Sequence, residues 1–522
     1  MQIKLFDTTL RDGTQAEDVS FTVDDKIYIA RLLDEFGIHY IEGGWPGSNP
    51  KDMDFFTEIK KHPLGRAKVT AFGSTRRANL QSDKDPNLQA LVQSGVPVAC
   101  IFGKSWDFHV TRALNITLPQ NLEIIEDSVA YLKRHFDEVI YDAEHFFDGY
   151  KANPEYALQT LQAAARGGAS YITLCDTNGG RLPWEIAAVM AEVKKTLGKP
   201  LGIHVHNDSE TAVANTLAAV QGGATLVQGT INGIGERCGN ANLISIIPGI
   251  QLKLGFTCVS EDNLKNLTRV SRAVQELANM NEWKNQPYTG VSAFAHKGGI
   301  HVSAVMKDSH TYEHIRPELV GNHRRVLVSD LSGRSNFLYK LEELGLQFDA
   351  KDPALQGIVD AVKTMERMGY AYEAADASLE LLIQKTRGQL KEYFKLRGYR
   401  VVDERRDEQD APVSEATVQL EALDGEMLHT ASLGEGPVDA LNTALIKALS
   451  GFYPVLNEVH LIDFKVRILN ARKGTKAVTR VMIESSDGRM HWTTVGVDSD
   501  ILGASYTALV DSIRYKLYKE NA

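Results

Sequence analysis

A chain of 522 residues is longer than one hydrophobic core usually holds, so two or three domains are expected. Its 67 acidic against 57 basic side chains give a formal charge of -10, which excludes a general attraction to nucleic acid or to an anionic membrane surface. No apolar run approaches the ~20 residues of a membrane helix, and the opening Met-Gln-Ile-Lys-Leu-Phe-Asp lacks a signal-peptide core. The four cysteines (Cys100, Cys175, Cys238, Cys258) have no CxxC spacing, so the chain reads as a soluble cytoplasmic protein with reduced thiols.

Short apolar runs alternate with amphipathic stretches from the start to about residue 260. The expected strands are Ile3–Asp7, Tyr40–Gly44, Lys68–Phe72, Val98–Phe102, Val139–Ala143, Tyr171–Asp176, Leu201–His206 and Thr225–Thr230. Expected helices between them include Asp24–Phe36, Asn121–Phe136, Pro154–Gly167, Trp184–Leu197 and Thr211–Gly222, with glycine at two exits, Gly37 and Gly168. Eight strand–helix repeats over ~250 residues have the size and rhythm of a (β/α)8 TIM barrel. The other arrangement, an open doubly wound sheet, lacks its G-x-G-x-x-G turn after the first strand.

Barrel chemistry sits where strands run out into loops. Here those exits carry Asp7-Thr8-Thr9-Leu10-Arg11-Asp12-Gly13, Glu42-Gly43-Gly44-Trp45, Lys104-Ser105-Trp106-Asp107-Phe108-His109, Asp142-Ala143-Glu144-His145 and Asp176-Thr177-Asn178. The seventh ends in Gly202-Ile203-His204-Val205-His206-Asn207-Asp208, whose alternation puts both imidazoles on one face, where two such rings suit a borderline divalent metal. The eighth leads into Gly233-Ile234-Gly235-Glu236-Arg237-Cys238-Gly239-Asn240. Acid, amide or imidazole at so many exits points to one functional rim.

The Asp7–Gly13, His204–Asp208 and Gly233–Asn240 motifs, in that order, resemble those of the DRE-TIM metallolyase superfamily, and within it the 2-isopropylmalate, homocitrate and citramalate synthases. Ala293–His301 and Glu366–Tyr370 resemble the helical subdomains after that family's barrel, and the last hundred residues its LeuA-type regulatory domain. The Phe102–Asp107 loop is most similar to the citramalate branch. The resemblance implies an acyltransferase that condenses acetyl-CoA with a 2-oxo acid by a Claisen-type step and then hydrolyses the thioester. On the citramalate branch the oxo acid is pyruvate, the product (R)-citramalate and the pathway isoleucine biosynthesis; 2-isopropylmalate or homocitrate synthesis, or lyase chemistry, are the alternatives.

Carried over residue by residue, the resemblance makes Asp12, His204, His206 and Asn240 ligands of a divalent metal, Mg²⁺, Mn²⁺ or Zn²⁺. Arg11 faces the oxyanion, Thr177 binds the substrate carboxylate, and Glu144, His301 and Tyr312 serve proton transfer, with His301 and Tyr312 favoured as the base. Asp208 is expected to orient a histidine. Trp45, Trp106 and Phe108 are candidates for narrowing the pocket. The resemblance further implies a homodimer in which His301 acts on the neighbouring subunit's barrel.

Residues 264–401 read as largely helical, with Ala354–Arg367 and Ala375–Leu396 the clearest runs. The charge run from Asp403 to Pro412 reads as a linker, 402–413. Residues 414–522 then show strands Ala416–Leu423, Val459–Leu469, Lys476–Ser485 and Arg489–Val497, with two helices whose approaches, Leu433–Leu441 and Val497–Ser505, suggest an internal repeat. The expected division is therefore a catalytic barrel at 1–263, helical subdomains, linker and regulatory domain. By resemblance that last domain takes a feedback amino acid, isoleucine on the citramalate branch.

Overall fold

In the computed structural model, described for residues 1–328, 334–343, 345–346, 353–405, 413–469 and 477–520, eight parallel strands close into a barrel. They are β1 (Lys4–Asp7), β2 (Tyr40–Gly44), β3 (Lys68–Ser74), β4 (Val98–Lys104), β5 (Glu138–Glu144), β6 (Tyr171–Asp176), β7 (Leu201–Val205) and β8 (Leu226–Gly229). Closure is sealed by β1, which pairs Asp7 with Ile41 of β2 on one side and with Gly229 of β8 on the other. The chain forms two compact units, residues 1–294 with 315–324, and residues 295–314 with 325–522.

The helices start and stop where the local chemistry directs. Thr22 caps Val23–Phe36 and Asp25 reaches back to complete a capping box, while Gly37 ends it in the left-handed conformation. Asn153 caps Pro154–Gly167, and Gly168 closes it in the same way. Alternation along each strand then sorts the two sides of the barrel wall. Leu5, Ile41, Ile101, Leu174, Ile203 and Val227 are fully buried in the layer shared with the surrounding helices. Each such side chain contributes about 1.5–3 kcal/mol. The helix Leu267–Leu277 joins this layer through Leu267, Val270 and Val274, so the barrel unit extends beyond residue 263.

Inside the barrel Phe6, Tyr40, Phe72, Val98, Cys100, Ile140 and Leu226 form a separate apolar cluster. Two residues further along their strands Tyr40, Ile140 and Leu226 give way to buried Glu42, Asp142 and Gln228, and His204 of β7 is buried with them. The interior is thus an apolar floor beneath a polar mouth.

The second unit opens with a two-residue parallel pairing of Ala295–His296 with Arg325–Val326 and the helix Gly299–Val305. Helices Arg334–Glu343, Pro353–Arg367 and Asp376–Thr386 follow. Two three-stranded antiparallel sheets come next, Phe394–Glu404, Val413–Ala422 and Met427–Gly434, then His460–Ile468, Thr479–Ser486 and His491–Asp498. Each is followed by one helix, Pro437–Leu449 or Ile501–Lys519, so the expected repeat is present. Leu441, Leu445, Leu509 and Ile513 bury with Val418, Leu420, Val481 and Ile483 in one core.

Two expectations are corrected. The helix expected over Ala375–Leu396 stops at Thr386, because Gly388 follows at φ +67, and the chain re-enters as a strand at Phe394. That strand continues through Asp403 and Glu404, which pair with Ser414 and Val413, so the start of the charged run is the exposed arm of a hairpin. Residues 406–412 of the expected linker lie outside the described residues. The strand Met427–Gly434 was not anticipated. Among the described residues no helix is long and apolar enough to cross a membrane.

Candidate active site

The loop after β1 is bent over the barrel mouth by its own side chains. Asp7 accepts from Thr9 N at 3.0 Å and Thr9 Oγ1 at 2.8 Å, and Thr9 Oγ1 accepts from Ile231 N of the loop after β8 at 2.9 Å. Burial pushes the Asp7 carboxyl up to about 7 against these hydrogen bonds. Asp12 N then donates to Thr8 O at 2.8 Å, a turn that presents Arg11 and Asp12 together.

β7 supplies the imidazoles. Beyond Val205 the chain bridges His206 to Asn240: Ala241 N donates to Val205 O at 2.9 Å and Asn207 N to Gly239 O at 2.8 Å. Gly235 is required there, since a Cβ would stand 2.0 Å from Asn240 Oδ1. The result is a buried triad. His204 Nε2 lies 3.3 Å from His206 Nε2 and 3.4 Å from Asp12 Oδ2, and one ligand atom from each residue lies within 4.8 Å of the others.

The donor chemistry fits a divalent cation. Burial alone would raise the Asp12 carboxyl, but Arg11, the two imidazoles and the Asn240 amide outweigh it and hold the carboxyl below its usual range. Burial, reinforced by His204 and by Arg237 and Arg11, brings His206 down to about 3, so its ring is a neutral donor. Asn240 Nδ2 donates to Asp12 Oδ2 at 2.7 Å, and its buried Oδ1 has no hydrogen-bond partner. The expected fourth ligand thus presents its nitrogen to the triad.

Around the triad lies a cavity of about 220 Å³ whose lining includes Arg11, Glu144 and Thr177. Arg11 Nε donates to Glu42 Oε2 at 2.7 Å, its Nη1 lies 3.2 Å from Asp12 Oδ1, and its guanidinium stacks 3.7 Å over Phe72. Glu144 is ion-paired with Lys104. Thr177 Oγ1 accepts from His145 N at 2.9 Å, which leaves its hydroxyl hydrogen to donate. His301 and Tyr312 belong to the other unit, where their rings stack at 4.2 Å.

Residues 2–274 match the HMGL-like family, 288–369 the homocitrate synthase post-HMGL domain-like family, and 373–517 the LeuA allosteric (dimerisation) domain. The (R)-citramalate synthase of Geobacter sulfurreducens is 58% identical over 517 residues, covering 99% of this chain and 98% of that one. The chain belongs to the (R)-citramalate synthase family. A second member, from Aquifex aeolicus, is 57% identical over 99% of this chain and 98% of its own. Beyond the branch, the 2-isopropylmalate synthase of Brevibacillus brevis is 31% identical over 98% and 96% of the two chains.

Within this citramalate synthase scaffold the sequence missed several parts. Gln228 links His204 Nδ1, at 2.9 Å, to Asp142 Oδ1, at 2.8 Å. Its inward position follows from Leu226 two residues earlier. Asp208, expected to orient a histidine, instead pairs with Arg237 Nε at 2.7 Å and Nη2 at 2.9 Å. The strand ends at Val205, so the alternation that puts His204 and His206 on one face does not carry on to Asp208. Of the expected narrowing aromatics, Trp45 packs edge-on against Phe72 and Phe102 in the cavity wall. Trp106 stacks on His109 and Phe108 lies tilted against both rings, and neither Trp106 nor Phe108 is among the lining residues of that cavity.

Proposed function

We propose that this cavity condenses acetyl-CoA with pyruvate and water to (R)-citramalate and CoA. The observation that carries the reading is the convergence of Asp12, His204 and His206 beside Arg11 in a cavity sized for a small oxo acid. Asp12, His204 and His206 hold the divalent metal, with Asn240 as fourth ligand once its amide is turned over, which would also give the orphaned Oδ1 a partner. When bound, such an ion polarises the ketone of the oxo acid.

The chain's own residues supply the rest. The Arg11 guanidinium, fixed by Glu42 and Phe72, stands where negative charge grows on the former ketone oxygen. Thr177 donates to the substrate carboxylate, and Trp45, Phe72 and Phe102 close the wall against longer side chains. His301, stacked on Tyr312, takes the methyl proton of the acetyl thioester, acting on the neighbouring barrel of a homodimer, while Glu144 steadies the protonation balance through Lys104. The resulting carbanion bonds to the ketone carbon, the former ketone oxygen takes up one proton in place of the one removed from the methyl, and water then replaces sulfur at the thioester carbon, leaving a carboxylate and freeing CoA as the thiol. A second cavity of about 430 Å³ shares Trp45 and Phe102 with the first and has Arg77 and Lys104 in its lining; we assign it to the pantetheine arm.

The same reading makes the chain a cytoplasmic enzyme of isoleucine biosynthesis. The barrel, with the helix Leu267–Leu277 packed on it, forms its catalytic division, the helices up to Thr386 the connecting subdomains, and the C-terminal division, beginning with the strand Phe394–Glu404, the part that binds isoleucine. Thiol release from acetyl-CoA with pyruvate, 2-oxoisovalerate and 2-oxoglutarate, each with and without isoleucine, tests it. Pyruvate is expected to be the preferred acceptor and isoleucine to inhibit; preference for 2-oxoisovalerate overturns the substrate assignment.

A further inference from the structure

Asp142, Gln228 and His204 form a chain of hydrogen bonds whose directions can be read from chemistry alone. Gln228 stands 2.8 Å from Asp142 Oδ1, 3.2 Å from Thr173 Oγ1 and 2.9 Å from His204 Nδ1, and all four residues are buried. With Asp142 as a carboxylate both of its oxygens accept, Oδ2 from the Cys100 thiol at 3.3 Å. The Gln228 atom facing Oδ1 is therefore the NH₂ group, and the atom facing His204 is the carbonyl oxygen. A carbonyl oxygen requires a donor, which fixes the hydrogen of His204 on Nδ1. Nε2, the atom 3.4 Å from Asp12 Oδ2 and 3.3 Å from His206 Nε2, is left with its lone pair facing the triad. His206 has no such device, since its Nδ1 is buried without a hydrogen bond.

We infer that Gln228 is a positioning residue that converts the acceptor Asp142 into a second acceptor at His204, locking that imidazole in the tautomer able to bind a metal. The inference rests on the metal reading of the triad. Only an amide suits position 228 beside a carboxylate at 142. A carboxylate in its place would put two acceptors 2.8 Å apart in a buried site, and an apolar side chain would take away the hydrogen-bond partner of both His204 Nδ1–H and Asp142 Oδ1.

Two readouts on the full-length protein test this. In the chelated wild type, ¹⁵N-histidine correlation spectra are expected to show His204 as the Nδ1–H tautomer, its signals identified by their loss in His204→Gln. The Nε2–H tautomer there overturns the relay whether or not metal binds. By calorimetry, Gln228→Leu and Gln228→Glu are each expected to weaken Mn²⁺ binding about 10–100-fold. The double change Asp142→Asn with Gln228→Glu is expected to restore most of it, because the new amide then donates to the new carboxylate, which still accepts from Nδ1–H. Should Gln228→Leu fail to fold, Gln228→Glu and the double variant decide. Wild-type affinity in Gln228→Glu, or no recovery in the folded double variant, overturns the relay. A wild type that shows the Nδ1–H tautomer but takes up no Mn²⁺ supports the relay and removes the metal reading.

Discussion

Arg11 is locked to Glu42: its Nε stands 2.7 Å from Glu42 Oε2 while the guanidinium plane covers Phe72 at 3.7 Å. The loop after β1 is thereby tied to the end of β2, and the cation is held in one orientation beside Asp12. Burial disfavours both charges, but Asp12 and Glu42 together hold Arg11 firmly protonated. A lysine keeps the charge and loses the planar fork and the stacking. Arg11→Lys is therefore expected to lower kcat about 10²–10³-fold while Mn²⁺ affinity by calorimetry changes little.

Lys26 supports the neighbouring loop from below. Its buried ammonium donates to Asp52 Oδ1 at 2.6 Å and Gly43 O at 2.9 Å, and Asp52 Oδ2 accepts from Trp45 N at 2.9 Å. Lys26→Met strands the Asp52 carboxylate in the interior, at a cost of about 3–5 kcal/mol. A lower unfolding temperature of the barrel by scanning calorimetry checks this, and reduced affinity for pyruvate should accompany it, since Trp45 shapes the cavity.

If His301 serves the partner's triad, inactive subunits should complement each other. His204→Ala and His301→Ala, dissociated, mixed and reassembled, are expected to recover about a quarter of wild-type activity, because half of the random dimers then carry one complete site. Mixtures as inactive as either parent contradict the arrangement in trans.

Stability of the C-terminal unit carries a pH signature. Asp511 accepts from Ser378 Oγ at 2.9 Å, yet burial pushes its carboxyl up to about 6. The folded state thus holds a proton that the unfolded chain releases near 4, so this group's stabilisation is complete below about 4 and is lost as pH rises to about 6. Asp511→Asn keeps the acceptor and removes the charge. It is expected to raise stability by about 1–2 kcal/mol at pH 7.5, the gain shrinking toward pH 4.5 in urea titrations.

The barrel was legible because each strand is a short, nearly continuously buried run ended by polar residues, and its exits were legible through Arg11, Asp12, His204 and His206. What escaped depends on contacts distant in sequence. Gln228 sits in the run Leu226-Val227-Gln228-Gly229 and looks like a stray polar residue until β5 brings Asp142 beside it. Phe72 and Phe102 read as core and are core on one side, but their other faces form the cavity wall with Trp45. Phe394–Glu404 was hidden because charged Lys395, Arg397, Arg400 and Asp403 mask a strand whose partner, Val413–Ala422, lies across the hairpin.

The proposed condensation requires a divalent cation held by Asp12, His204 and His206. Thiol release from acetyl-CoA and pyruvate, followed before chelation, after exhaustive chelation and after return of Mn²⁺ or Mg²⁺, measures it with metal content determined on the same samples. Turnover is expected to be lost with the metal and to recover on reloading, in the wild type and not in His204→Ala. Undiminished turnover by wild-type protein shown to be metal-free would contradict it.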